Sequence, residues 1–188
     1  MTDLTPITAL GAAAPADHRL GRLRITENTQ LALASLALHR GAMQPAPMGL
    51  NLPGPGYWAA GQGVAAFWSG PDQWMIETEG RAGEDFAVIL AGEAPDCSVT
   101  EQTDGWAAFE IVSDAGGAPI RALMEKLVNL DAERFVPGSA TRTNLHHMGV
   151  FLIRRAEDRL AIFGMRSFAG ALWHVLAQTA ERLEGALA

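Results

Sequence analysis

The sequence predicts an α+β protein, with antiparallel or mixed sheet and helices on one face. Two observations carry this. Short β-rich runs come in pairs joined by turn signals, and single helical stretches stand between the pairs. The 188 residues are 48% apolar and 19% charged, enough for one sizeable core or two small subdomains packed together.

Residues 1 to 20 show no clear period. Gly11-Ala12-Ala13-Ala14-Pro15 favours a loose N-terminal arm that orders against a partner. A single folded unit is expected over residues 21 to 188. From Arg22 to His39, Leu23 and Ile25 and then Leu31 and Leu33 alternate as in a half-buried strand, although Leu31 to Leu38 also suits a helix. Gly41 to Gly63 is rich in Gly and Pro and holds Met43, Met48, Tyr57 and Trp58. It reads as a surface loop whose aromatics dock onto something, with Met48, Tyr57 and Trp58 the interface candidates. Gly54-Pro55-Gly56-Tyr57-Trp58-Ala59 formally matches a dinucleotide fingerprint. That chemistry needs a strand before the turn and a helix after it, and Pro53 and Pro55 suit neither.

Val64 to Trp68 and Trp74 to Ile76 flank the turn residues Gly70, Pro71 and Asp72, which predicts a hairpin bracketed by two tryptophans. Gly83 to Glu93 reads as a short helix ended by Pro95. Cys97 to Thr103 and Trp106 to Val112 read as a second hairpin around Asp104-Gly105. Ile120, Leu123, Met124, Leu127, Val128 and Leu130 make the clearest amphipathic helix, starting near Pro119. Ala140 to His147, Val150 to Arg155 and Arg159 to Met165 read as three strands. A last helix, Phe168 to Leu187, is expected to be capped by Ser167 and to present Phe168, Leu172, Val175, Leu176, Thr179 and Leu183 on one face.

Charge and composition exclude several functions. A formal net charge of −7 argues against a nucleic-acid binder. Prolines break the long stretch from Gly41 to Glu77, whose interior holds no charged residue but Asp72, so it is not a membrane helix. No secretory signal is read at the start, and one cysteine, Cys97, permits no internal disulfide; a cytoplasmic protein is expected. Of 14 basic residues 13 are Arg, which reflects either genome composition or a supply of interface contacts. His146 and His147 would point to opposite faces of a strand, and the other histidines lack partners at metal-ligand spacing. No nucleophile elbow occurs. Cys97 reads as a buried, inert thiol. Asp104 beside Trp106 is a candidate site pair, or simply a turn residue beside a packing one.

Four segments then point to a family. They are Gly70-Pro71-Asp72-Gln73-Trp74, Thr100-Glu101-Gln102-Thr103-Asp104-Gly105-Trp106, Phe135-Val136-Pro137-Gly138, and Arg166-Ser167-Phe168 with Leu172-Trp173. In this order they resemble the motifs of the gamma subunit of heterotetrameric sarcosine oxidase. Glu101 stands where that family's strand is expected to carry Asp. The resemblance implies a fold related to the folate-binding domain of the glycine-cleavage T protein, with two small intertwined subdomains, at about 21–95 and 96–188. It implies a non-catalytic partner of alpha, beta and delta subunits in a complex that oxidises sarcosine to glycine and passes the one-carbon unit to tetrahydrofolate. FAD, FMN, NAD and tetrahydrofolate would belong to the other subunits, and no catalytic, cofactor or metal position is expected in this chain. The competing expectations are a stand-alone folate-dependent transferase or folate-binding protein, and the small subunit of a related N-methyl amino acid dehydrogenase. A folate site would need a carboxylate for the pterin ring, with Asp104, Glu101 and Glu110 the candidates.

Overall fold

A computed structural model describes residues 6–185. Eleven strands form two wholly antiparallel sheets. One has six strands, in the order β1-β2-β8-β11-β10-β9, and the other five, in the order β4-β5-β6-β3-β7. The six-stranded sheet is built from β1 (Asp17–Leu20), β2 (Leu23–Asn28), β8 (Trp106–Ser113), β9 (Ala140–Leu145), β10 (Met148–Ala156) and β11 (Arg159–Met165). The five-stranded sheet is built from β3 (Leu31–Leu38), β4 (Trp58–Ala60), β5 (Ala65–Gly70), β6 (Gln73–Glu79) and β7 (Cys97–Glu101). The helices are α1 (Phe86–Glu93), α2 (Gly117–Leu127) and α3 (Ala169–Gly185).

Three apolar layers hold these parts together. Helices α2 and α3 cover the outer face of the six-stranded sheet through Ile120, Leu123, Leu172 and Leu176 against Ile25, Phe109, Ile111 and Ile162. On the outer face of the five-stranded sheet, Phe86 and Leu90 of α1, with Leu50 and Leu52 of the long loop, pack on Leu36, Trp74 and Ile76. Between the sheets lie Leu31, Leu33, Phe67, Met75, Phe151, Ile153 and Phe163. The expected rule of helices on one face therefore holds for each sheet separately.

The central hairpin pairs as expected, with Trp68 opposite Trp74 and a bulge before Gly70. Pro71-Asp72 form its tip, and Asp72 takes a left-handed φ of 56°, which Asp tolerates. Several expectations need correction. Asp17–Leu20 are strand β1 rather than loose arm. Arg22 to His39 is two strands in different sheets, because the chain turns at Thr29-Gln30. In β3 both faces are covered, so Ala32 and Ala34 are as buried as Leu31 and Leu33, and half-burial was the wrong inference. Asp104-Gly105 closes no hairpin, since β7 pairs with β3 while β8 pairs with β2 and β11. Thr103–Gly105 is a 3-10 turn that carries the chain from one sheet to the other. His146 and His147 are not on a strand but form the two-residue turn between β9 and β10, with His146 at φ 51°. Ser167 sits inside a 3-10 turn, Arg166–Phe168, that runs straight into α3 and leaves no open end for it to cap. Phe168 stays exposed, and the buried stripe of α3 is Ala169, Leu172, Leu176 and Ala180. The end of that helix beyond Gly185 lies outside the described residues.

Candidate functional site

The chain crosses between the sheets twice, after β2 and after β7, and the two crossings touch. Gln102 N–H donates to the Leu33 carbonyl at 2.8 Å, and Leu33 N–H donates to Thr103 Oγ1 at 2.9 Å. Where they meet, the sheets splay around a cavity of about 480 Å³. Leu31, Leu33, Phe163 and Trp106 form its apolar wall, while Asn28, Gln30, Thr103, Asp104 and Arg166 supply polar groups. Such a size and mixture suits a small-molecule pocket. Three residues of the family-like motifs thus meet in one place. Trp106 anchors to Gln102 Oε1 through its indole N–H at 3.2 Å and packs on Phe151. Arg166 Nη1 lies 3.9 Å from Asp104, whose side chain is 99% exposed.

The sequence reading missed Glu27, which also lines this cavity and is only 3% exposed. Its carboxylate accepts the backbone N–H groups of Leu10 at 3.1 Å and Ala16 at 3.2 Å. The signal was present, because Glu27 continues the buried alternate row Leu23, Ile25.

The other two carboxylates proposed for a pterin ring are engaged elsewhere. Glu101 accepts the N–H groups of Ala87 (2.9 Å), Gln102 (3.1 Å) and Thr103 (3.0 Å), and the Thr103 hydroxyl at 2.5 Å. Burial pushes its carboxyl up, but these bonds outweigh burial and hold it below the usual carboxylate range. It fastens the second crossing and the start of α1. Glu110 belongs to an ion cluster that joins the two sheets. The Arg155 guanidinium grips Glu77 with two parallel bonds of 2.8 Å, and its Nη2 lies 2.9 Å from Glu110. Trp58 Nε1 donates to the same Glu77 at 2.7 Å, and Arg155 lies over the Trp58 ring, 5.4 Å from its centroid. Burial pulls Arg155 down, yet its bonds to Glu77 and Glu110 win and hold it above the ordinary arginine range. Burial pushes Glu110 up; Arg155 pulls it back only partly, because Glu77 and Glu79 push it further, so it ends above the usual range.

The remaining candidate positions are scattered. Gly70, Pro71 and Asp72 lie at the hairpin tip, and the Asp72 carbonyl accepts Leu38 N–H at 2.9 Å. Trp74 is 4% exposed, with its indole N–H on the Pro53 carbonyl at 2.7 Å. Gly138, at φ 88°, accepts from Trp58 N–H at 2.7 Å and donates to the Arg154 carbonyl at 2.8 Å, so it stitches the sheets together. Trp173 is half-buried between His18 and Phe109. Gly105 and Ser167 fill their 3-10 turns, and Phe168 is 43% exposed. Of the interface candidates, Tyr57 is 60% exposed, whereas Met48 and Trp58 are half-buried against this chain's own cores. Cys97 is half-buried, and burial pushes its thiol up. Among the described residues no three His, Cys, Asp or Glu gather to hold a metal, and no helix is long and apolar enough to cross a membrane.

This arrangement, two face-packed antiparallel sheets with interlocked strands and helices outside, is an α+β fold. A chain of heterotetrameric sarcosine oxidase from Corynebacterium sp. U-96, solved with pyrrole 2-carboxylate, shares it at a TM-score of 0.73 and 20% identity, over 89% of both chains. The glycine cleavage system aminomethyltransferase T from Bartonella henselae shares it at a TM-score of 0.55 and 16% identity, over 80% of this chain and 44% of that one. This chain thus matches less than half the length of the transferase. No protein-family model and no curated protein matches the sequence.

Proposed function

We propose that this chain is a small, non-catalytic assembly subunit of a multi-subunit sarcosine oxidase, in the role of its gamma subunit, working in the cytoplasm beside alpha, beta and delta subunits. The supporting observation is the fold shared over 89% of both this chain and a chain of the heterotetrameric enzyme. The likeness to the aminomethyltransferase leaves more than half of that enzyme without a counterpart here, at 44% coverage. In the candidate site the buried carboxylate of Glu27 accepts backbone amides, and Asp104 stands in solvent near Arg166. FAD, FMN, NAD and tetrahydrofolate then belong to the larger subunits. Co-expression with those subunits should give a complex that oxidises sarcosine, while the chain alone comes out colourless and inactive. Tyr57→Ala should weaken co-purification and leave melting unchanged, because Tyr57 is 60% exposed. A yellow, flavin-loaded chain, or one that oxidises sarcosine alone, would overturn the proposal.

The cavity favours one second reading, a folate-binding protein. It has a tryptophan wall, an arginine at the mouth and a volume of about 480 Å³. Micromolar binding of tetrahydrofolate to the isolated chain by calorimetry would support it, and absence of heat would remove it.

A further inference from the structure

We propose that residues 7–16 form a strap that closes the cleft, latched on Glu27 and Arg166, and that a planar molecule with polar edges enters when the strap lifts. This rests on the second reading above, that the cleft takes a ligand. Ile7, Thr8, Ala9, Ala13 and Pro15 roof the cavity. The roof is fastened at few points. Ile7 gives its carbonyl to Arg166 Nη2 at 3.1 Å. Leu10 and Ala16 give their N–H groups to the two oxygens of Glu27, and the Ala16 carbonyl accepts Glu27 N–H at 2.8 Å. Between these points the segment turns on itself, with Thr8 N–H on the Ala12 carbonyl at 2.9 Å. No strand ladder extends through it, and Ile7 is 60% exposed. Only Ala9 and Leu10 of the segment pack against the helix-covered core, and segments with so few apolar contacts and fastenings open at low cost.

The latch residue is itself unusual. Glu27 is 3% exposed, yet among the described residues no Lys, Arg or His forms an ion pair with it. A carboxylate in such a position is normally paired, because desolvation penalises its charge. Here two strap amides alone hold it, so strap and carboxylate each depend on the other. Beneath them lies the cleft of about 480 Å³. Its wall of Trp106, Phe163, Leu31 and Leu33 suits a flat apolar face.

The test uses the full chain, hydrogen exchange and the neutral dye Nile red. In the native protein the bonded amides of Thr8, Leu10, Gly11 and Ala16 should show measurable protection that the exposed Ala13 and Ala14 lack, and dye uptake should be weak. Glu27→Ala should speed exchange of this segment at least tenfold and Arg166→Ala at least threefold, with β8 and β11 unchanged. Both should raise dye fluorescence. Arg166→Ala removes a side chain that is 37% exposed, so it decides the matter if Glu27→Ala fails to fold. Unprotected exchange of residues 6–16 in the native protein, full protection in the Arg166 variant, or equal dye uptake by all forms would overturn the strap. Absence of tetrahydrofolate binding with dye uptake still gated would remove the folate reading and leave the strap standing.

Discussion

Replacing Arg155 with Met tests what joins the two sheets. The side chain is 17% exposed and holds Glu77, at 2%, with two bonds of 2.8 Å. Without it Glu77 keeps one donor, Trp58 Nε1, and faces Glu110 with no cation between them. Removing one partner of a buried pair costs about 3 to 5 kcal/mol, because the remaining charge is left unpaired. Loss of the contact over Trp58 adds about 0.5 to 1 kcal/mol. The expected loss at pH 7 is thus about 3.5 to 6 kcal/mol, a large part of the usual 5 to 15 kcal/mol, roughly, of a domain. The sign with pH is fixed by Glu110. Its folded pKa lies above the ordinary value even with Arg155 present, and removing the cation pushes it higher. A carboxyl raised on folding withholds stability at neutral pH and returns it as pH falls toward the unfolded value of about 4.3. Urea melts of Arg155→Met should therefore show a deficit that shrinks between pH 7 and pH 5. Pairing it with Glu77→Gln should recover part of the loss. A deficit below about 1 kcal/mol, or one that grows on acidification, would refute the reasoning.

Trp74→Ala should cost about 3 to 5 kcal/mol in urea melts, since a buried indole and its bond to Pro53 are both lost. Gly138→Ala should cost about 1 to 2 kcal/mol through backbone conformation at φ 88°. Space is not the cause, as the nearest atom to an added Cβ is the Trp58 carbonyl oxygen at 3.9 Å. Glu101→Gln should cost about 1 kcal/mol at pH 7 by weakening the bonds to Ala87, Gln102 and Thr103. The folded pKa of Glu101 is lowered, so its contribution is present above about 4.3 and lost as pH falls through the folded value. The variant's deficit should close in acid. Trp58→Ala, unlike Tyr57→Ala, should lower the melting temperature of the isolated chain, because it strips a donor from buried Glu77.

Local signals were legible where one element decides its own form. The Pro71-Asp72 turn, the apolar spacing of α2 through Leu127 and the three-strand order from Ala140 to Met165 read correctly from the sequence, whereas Val128 and Leu130 lie beyond the helix end and His146-His147 are a turn. Pairing across the sheets was not legible, because nothing near Asp104-Gly105 says that β7 prefers β3 to β8. The two-residue turn signal was outweighed by Leu33, which bonds to both Gln102 and Thr103 across the crossing. Glu27 and Glu77 are a different failure. Each occupies the next alternate position after a buried apolar residue, Ile25 and Met75, and so faces inward with it. Composition makes a lone glutamate look like solvent-facing surface, whereas strand period places it inside. The Arg155 that pairs with Glu77 is 78 residues away in sequence, a separation that no local reading spans.

The layer between the sheets is asymmetric, and the asymmetry has a physical basis. Along β8, Trp106 stands at the splayed end that forms the cavity, and Glu110, four positions on, stands in the ion cluster. Apolar packing through Phe67, Phe151 and Phe163 fills the space between. At the Glu110 end, directional bonds with Arg155 fix the spacing of the sheets, and sliding them would strand buried charge. At the Trp106 end, the two chain crossings, the segment before β1 and the bond from Asn28 to Glu79 bridge the gap. The rigid end and the apolar middle hold the framework while the cavity end remains able to change. If the chain serves a larger complex, Tyr57 lies close to the rigid end, beside Trp58, where a surface keeps its shape when it is bound. A ligand would enter at the other end, away from the ion cluster and against the edge of the phenylalanine layer at Phe163.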